Sequence, residues 1–196
     1  KQQARVAVGL PLNKRLIVFS SHTFTDERKG YHYLKEALKQ LVSTHPEWHG
    51  KLGVVLIGKD IVPSMYQELP FEVYPLNYVA DEKHIVEIYN AVDLLAIPSL
   101  QDNLPNTVLE AMACGVPCIG FNVGGIPEMI DHLHNGYVAE YKSADDFANG
   151  IHWALSESEY QSLSEEACRK VSSSYSESYI AKKYIEVYNK IMGDND

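Results

Sequence analysis

The sequence predicts an α/β fold, a doubly wound parallel sheet of six strands followed by a helical tail. Three observations carry that prediction. Short apolar runs alternate with longer stretches whose apolar residues recur at helical spacing. The apolar runs are unbroken and do not alternate with polar residues, as expected of strands covered on both faces. After residue 141 the strand-like runs stop while helical spacing continues to the end.

In order, RLIVFS (residues 15–20) is the first strand, and YHYLKEALKQLVSTH (31–45) is a helix opened by Gly30. KLGVVLIG (51–58) and FEVYPL (71–76) are the second and third strands, and DEKHIVEIYNA (81–91) is a helix. DLLAIPS (93–99) is the fourth strand. The helix after it starts in DNLPNTVLEAMACG (102–115), with Pro105 in its first turn and Asp102 or Asn103 as its cap. VPCIGF (116–121) and GYVAEY (136–141) are the fifth and sixth strands, separated by a short helix from Ile126. Residues 143–155, 157–172 and 179–192 read as tail helices joined by Ser-rich turns. No repeat or low-complexity linker divides the chain, so residues 1–196 form one domain.

Composition narrows the function. A length of 196 residues suffices for a sizeable core, and 45% hydrophobic with 22% charged residues excludes a disordered chain. A net charge of −9 argues against a nucleic-acid surface but leaves room for a local basic pocket. No run reaches the roughly 18 apolar residues of a membrane span, and the polar start KQQARVAVGLPLNKR does not read as a signal peptide. Cys114, Cys118 and Cys168 have no paired spacing and read as reduced, mostly buried thiols of a cytoplasmic protein.

Ligands of doubly wound sheets sit beyond the carboxyl ends of the strands. The loop after the first strand, SHTFTDERKG, sets Arg28 and Lys29 directly before a helix, whose free N–H groups attract anions. After the fourth strand, Leu104, Pro105, Asn106 and Thr107 bring another helix start to the same crevice. Glu110 shares a helix face with Asn106. A carboxylate in so apolar a helix, expected to be largely buried, is costly unless hydrogen-bonded; it either turns to solvent or accepts hydroxyl protons from a ligand. After the fifth strand, Gly124 and Gly125 provide a tight turn or a close approach of backbone to ligand.

The stretch AVDLLAIPSLQDNLPNTVLEAMACGVPCIGFNVGGIPEMI, with DERKG, LIG and HNGYVAEYKSADDFANGI elsewhere, resembles the nucleotide-sugar-binding half of family-four (group 1) glycosyltransferases with the GT-B fold. The resemblance covers nearly the whole chain. It implies a Rossmann-like C-terminal domain that binds the sugar donor, whose partner is an N-terminal acceptor domain outside this sequence. ARVAVGLPLNKRLIVFS resembles the segment after the interdomain linker.

By that resemblance Glu110 binds the ribose hydroxyls and Asp102 faces the donor sugar near the reacting carbon, as the catalytic acid position. Glu is usual in the family where Asp102 stands, and the turn DNLPN replaces a Gly/Phe-containing one, so Asn103 is a candidate sugar contact. Lys29 matches the lysine that holds the diphosphate. Thr23 stands where the companion arginine is expected, and Arg28 is the candidate substitute. Gly124 and Gly125 lie near the phosphates, and the region from Leu76 to Tyr78, with Asn77 at its centre, lies near the base.

The implied activity is retaining transfer of a hexose from a UDP- or GDP-sugar, in polysaccharide or glycoconjugate synthesis, with no metal or other cofactor required. The resemblance places the enzyme in the cytoplasm, with peripheral contact at the inner membrane face open to the full-length protein. Three rivals are a nucleotide-sugar-binding module without chemistry, a nucleotide-sugar epimerase, and a metalloenzyme built on Glu128, His132 and His134.

Overall fold

Strands β1 (Arg15–Thr23) and β2 (Leu52–Lys59) run side by side at the centre of the sheet, and their side chains alternate between two dry faces. Ile17, Phe19, Leu52, Val54 and Leu56 enter one core cluster, while Leu16, Val18, Val55 and Ile57 enter the other. This two-sided burial explains the unbroken apolar runs. β3 (Glu72–Leu76), β4 (Leu94–Ile97), β5 (Cys118–Phe121) and β6 (Gly136–Ala139) complete six parallel strands in the computed structural model. The model describes residues 1–156 and 160–193.

The strand order is β3-β2-β1-β4-β5-β6. Succession reverses between β1 and β4, and a crevice opens there at the carboxyl ends. Helices α2 (Tyr31–Thr44) and α6 (Ala144–Ser156) cover one face. The other face takes α1 (Gln2–Ala7), α3 (Glu82–Ala91), α4 (Asn106–Ala113), α5 (Ile126–Met129) and α7 (Tyr160–Ser174). α8 (Glu177–Gly193) has no buried residue and exposes Tyr184, Ile185, Tyr188 and Met192. Among the described residues no helix is long and apolar enough to cross a membrane.

The predicted class and strand number are borne out, with corrections at the edges. β1 runs three residues beyond the expected Ser20, past a register shift between Ser20 and Thr23, so His22 and Thr23 are strand residues. α4 is capped by neither Asp102 nor Asn103; Pro105 is its N-cap and no side chain accepts from its first N–H groups. Residues 157–159 of the expected second tail helix lie outside the described residues; α7 is described from Tyr160. Of the thiols only Cys118 is buried, Cys114 is half-buried and Cys168 is exposed.

Helix α1 was not legible as a helix, because one charged residue fixes it. Arg5 is 5% exposed. Its guanidinium donates to Ala91 O at 2.8 Å, Lys14 O at 2.7 Å and Asp93 Oδ2 at 2.6 Å. Asp93, 1% exposed, also accepts from Leu16 N–H at 2.7 Å and from Lys1 at 2.9 Å. A buried ion pair is tolerable only when its hydrogen-bonding capacity is filled in this way. It joins α1 to the amino ends of β1 and β4, opposite the crevice.

Candidate functional site

Three loops meet at the reversal of strand order. The first leaves β1, makes a 3-10 turn at Glu27–Lys29, and enters α2 through Gly30. Gly30 has φ +68°, and a Cβ there would lie 1.8 Å from Pro98 O, so only glycine lets this loop rest on the one after β4. Leu100 N–H donates to Arg28 O at 2.7 Å across the same contact. The two loops thus bring Lys29 Nζ within 2.8 Å of Asp102 Oδ2, with side chains 34% and 14% exposed.

The third loop follows β5. A Cβ on Gly124, which has φ +56°, would lie 1.8 Å from Asp102 O, and one on Gly125 2.0 Å from Asn103 O. Backbone therefore approaches backbone, and the glycine pair seats the turn at 102–103. The pair packs this loop on the turn, and Gly124 also lines the cleft. The three loops enclose a cleft of about 530 Å³ lined by Arg28, Lys29, Asp102, Asn103, Val123 and Gly124.

A second cavity, of about 680 Å³, continues along α4. Ser20, His22 and Gly58 at the strand ends line it, as do Tyr78, Val79 and Ala80 after β3, Ile85, Val86 and Tyr89 of α3, and Thr107 and Glu110 of α4. Glu110 is exposed, and its helix face opens into this cavity, so both alternatives for its carboxylate keep it in reach of solvent or ligand. Tyr89 O–H donates to Glu110 Oε2 over a long 3.5 Å. Burial of Tyr89, then the charge of Glu110, push its phenol pKa up, so the hydroxyl stays a donor and orients the carboxylate.

Of the remaining predicted residues, Asn106 and Thr107 open α4, and exposed Leu104 precedes the buried cap Pro105. Arg28 borders the cleft, but its guanidinium is engaged by Asp26 in a two-pronged pair at 3.0 and 2.8 Å. That hydrogen bond lowers the Asp26 pKa and raises that of Arg28. Asn77 is exposed, and the cavity wall begins one residue later, at Tyr78. His132 Nδ1 accepts from Val138 N–H at 3.1 Å. Glu128, His132 and His134 form no metal-ligating group among the described residues, which leaves the metalloenzyme rival without a site.

Sequence reasoning missed a lysine beside two residues that line this cavity, His22 and Tyr78. Lys59 Nζ lies 3.4 Å from His22 Nε2 and 4.8 Å above the Tyr78 ring. Lys59 is the register partner of Thr23, so the neighbouring strand returns a cation to that end of the sheet. The pairing of two strand ends, invisible in linear order, was the missing signal.

Comparison with known proteins identifies the family and the fold. The family model described as "Glycosyl transferases group 1" matches residues 1–171. An uncharacterized glycosyltransferase of Haemophilus influenzae is 25% identical over 183 residues, covering 92% of this chain and 50% of that protein. Thus the chain spans about half the length of the curated relatives it matches. HepE from Anabaena, solved in complex with UDP, superposes with a TM-score of 0.79 at 22% identity, over 96% of this chain and 52% of its own. The C-terminal domain of a group 1 family glycosyl transferase from Francisella tularensis does so with 0.72 at 22% identity, over 90% of this chain and 93% of its own. With a family model matched over most of its length and a Rossmann-like sheet shared with those structures, the chain belongs to the group 1 glycosyl transferases.

Proposed function

We propose that this chain is the donor-binding, C-terminal half of a retaining glycosyltransferase that uses a UDP- or GDP-sugar. One observation carries the reading: residues 102–110 border both cavities, with an acid beside a lysine at one end and a second carboxylate about one turn into the helix. A nucleoside diphosphate sugar has matching parts in matching order. The largely apolar cavity suits the base, and Glu110 offers two acceptor oxygens to the two donors of a ribose diol. Lys29 and the N-terminus of α4, which no side chain caps, suit the diphosphate.

Chemistry then rests on charge. As the glycosidic bond lengthens, negative charge grows on the leaving diphosphate, and Lys29 with the N–H groups at the start of α4 stabilises it in place. Asp102 favours positive charge on the sugar. Its ion pair with Lys29 sets both groups at the junction between sugar and phosphate before any ligand arrives. Acceptor binding belongs to a preceding domain, the chain's proposed partner. The half-length match and the apolar surface of α8 both fit a missing partner domain.

The test is a calorimetric panel of nucleoside diphosphates and their sugars on this chain, followed by transfer assays beside the full-length protein. Donor binding with transfer only by the full-length protein is expected. Binding without hydrolysis or transfer by either protein would favour a binding module, and absence of nucleotide binding would refute the reading. Turnover by the isolated chain at the parent rate would show the division into two halves to be wrong.

A further inference from the structure

At the opposite end of the sheet from the donor cleft, the fold gathers three metal-ligating side chains from two distant segments. His45 follows the last turn of α2, Glu47 lies in the 3-10 turn Pro46–Trp48, and His152 lies in the last turns of α6. One ligand atom from each lies within 4.8 Å of the others. The cluster is about 21 Å from the cleft along the 14 residues of α2, at a rise of about 1.5 Å per residue. It therefore has no part in the chemistry proposed above.

We propose that His45, Glu47 and His152 form a site for a divalent transition metal of the zinc class, which ties the end of α2 to the end of α6. Two imidazoles and a carboxylate are a ligand set that zinc accepts, with water completing a tetrahedron. Imidazole ligands favour zinc, nickel or copper over magnesium and calcium, whose ligands are oxygens. The backbone positions are fixed beforehand, because α2 and α6 pack on the same face of the sheet through one core.

The site closes around a metal by rotation of these side chains. The His45 and His152 rings stack 3.5 Å apart at an interplanar angle of 9°. Parallel rings cannot aim their in-plane lone pairs at one point, so metal entry must tilt them out of the stack. Tetrahedral bonds of about 2.1 Å put ligand atoms about 3.4 Å apart. The carboxylate already lies at that range, with Glu47 Oε1 3.3 Å from His45 Nδ1. On His152, Nδ1 accepts from Trp48 Nε1–H at 3.1 Å and lies 3.3 Å from Ser156 Oγ. A metal at Nδ1 displaces the Trp48 hydrogen bond, which gives the site its own optical reporter.

The experiment uses chelator-stripped chain carrying Trp153→Phe, so that Trp48 is the sole indole, titrated with zinc chloride. Calorimetry should give one equivalent bound with a Kd of about 10 μM or tighter, with a matching change in Trp48 emission. A hundredfold excess of zinc over Kd should raise Tm by several degrees, through about 2.7 kcal/mol of linkage. His45→Asn and His152→Gln should each weaken binding by at least about tenfold and abolish the Tm rise. Glu47→Gln should weaken binding while leaving the metal-free Tm unchanged. Zinc binding weaker than about 100 μM would overturn the proposal, as would binding by the His45→Asn/His152→Gln double variant equal to that of the parent. The double variant also separates this site from the three free thiols. Nucleotide affinity should not change with zinc or chelator, and a change would remove the assigned structural role.

Discussion

Lys29→Met removes one positive charge from the cleft while keeping most of the side chain's bulk, and its consequences for folding and binding separate. The ion pair with Asp102 is partly solvent-exposed, at 34% and 14% for the two side chains. It therefore contributes at most about 1 kcal/mol to stability. For a chain of this size that corresponds to a fall in Tm of no more than about 4 °C. Binding should suffer more. A hydrogen bond to a charged group contributes about 1.5–3 kcal/mol, so losing it weakens a nucleoside diphosphate about 10- to 150-fold. On the proposed donor pose the substitution also leaves Asp102 uncompensated beside the phosphates, which moves the loss toward the upper bound. Adding Asp102→Asn to Lys29→Met should therefore recover part of the affinity, a coupling that a double-mutant cycle measures directly. Calorimetry with a nucleoside and its diphosphate is the assay, with a melt of the free protein as control. Equal losses for both ligands, without recovery in the double variant, would refute the assignment of Lys29 to phosphate.

Three further outcomes follow from the structure. Glu110→Gln should weaken a ribonucleoside diphosphate at least about tenfold yet leave its 2′,3′-dideoxy counterpart nearly unaffected, so equal effects on both would remove the ribose assignment. Gly124→Ala adds a Cβ 1.8 Å from Asp102 O at φ +56°, so it should displace the 102–103 turn and lower both Tm and diphosphate affinity; unchanged values would mean that this loop contact is loose. Arg5→Met leaves buried Asp93 with Lys1 and Arg15 as its remaining cations, and urea titration should show a loss of about 3–5 kcal/mol, partly recovered by adding Asp93→Asn; a loss below about 1 kcal/mol would count against the buried pair.

The fold class was legible because both faces of the sheet are dry. Runs such as GVVLI, fully buried, leave little choice but a covered parallel strand. Motif order singled out Lys29, Asp102 and Glu110 as candidates, and the structure adds the contacts that motif order cannot hold. Nothing in one dimension shows that Lys59 adjoins Thr23, that Gly124 supports Asp102, or that His152 stacks on His45 across 107 positions of chain. The surroundings of Glu110 were undecided for a related reason. Helical periodicity identifies the face a residue shares with its neighbours, whereas only packing shows that this face borders a cavity. Helix α1 escaped detection because its anchor is an arginine, a residue that sequence patterns assign to solvent.

The contacts among Gly30, Pro98, Asp102 and Gly124 also bear on attempts to reshape the cleft by loop grafting. Because the 98–103 segment touches both neighbouring loops backbone to backbone, with no side chain between to absorb a mismatch, it is not a transferable module. A foreign turn with one extra residue, or a different carbonyl direction at position 102, would meet the glycines at the wrong height. Successful chimeras should require all three segments to be exchanged together, and libraries restricted to the 102–106 turn should return few folded binders. Side chains that project into the cleft, such as that of Asn103, remain the positions where diversity can be introduced singly.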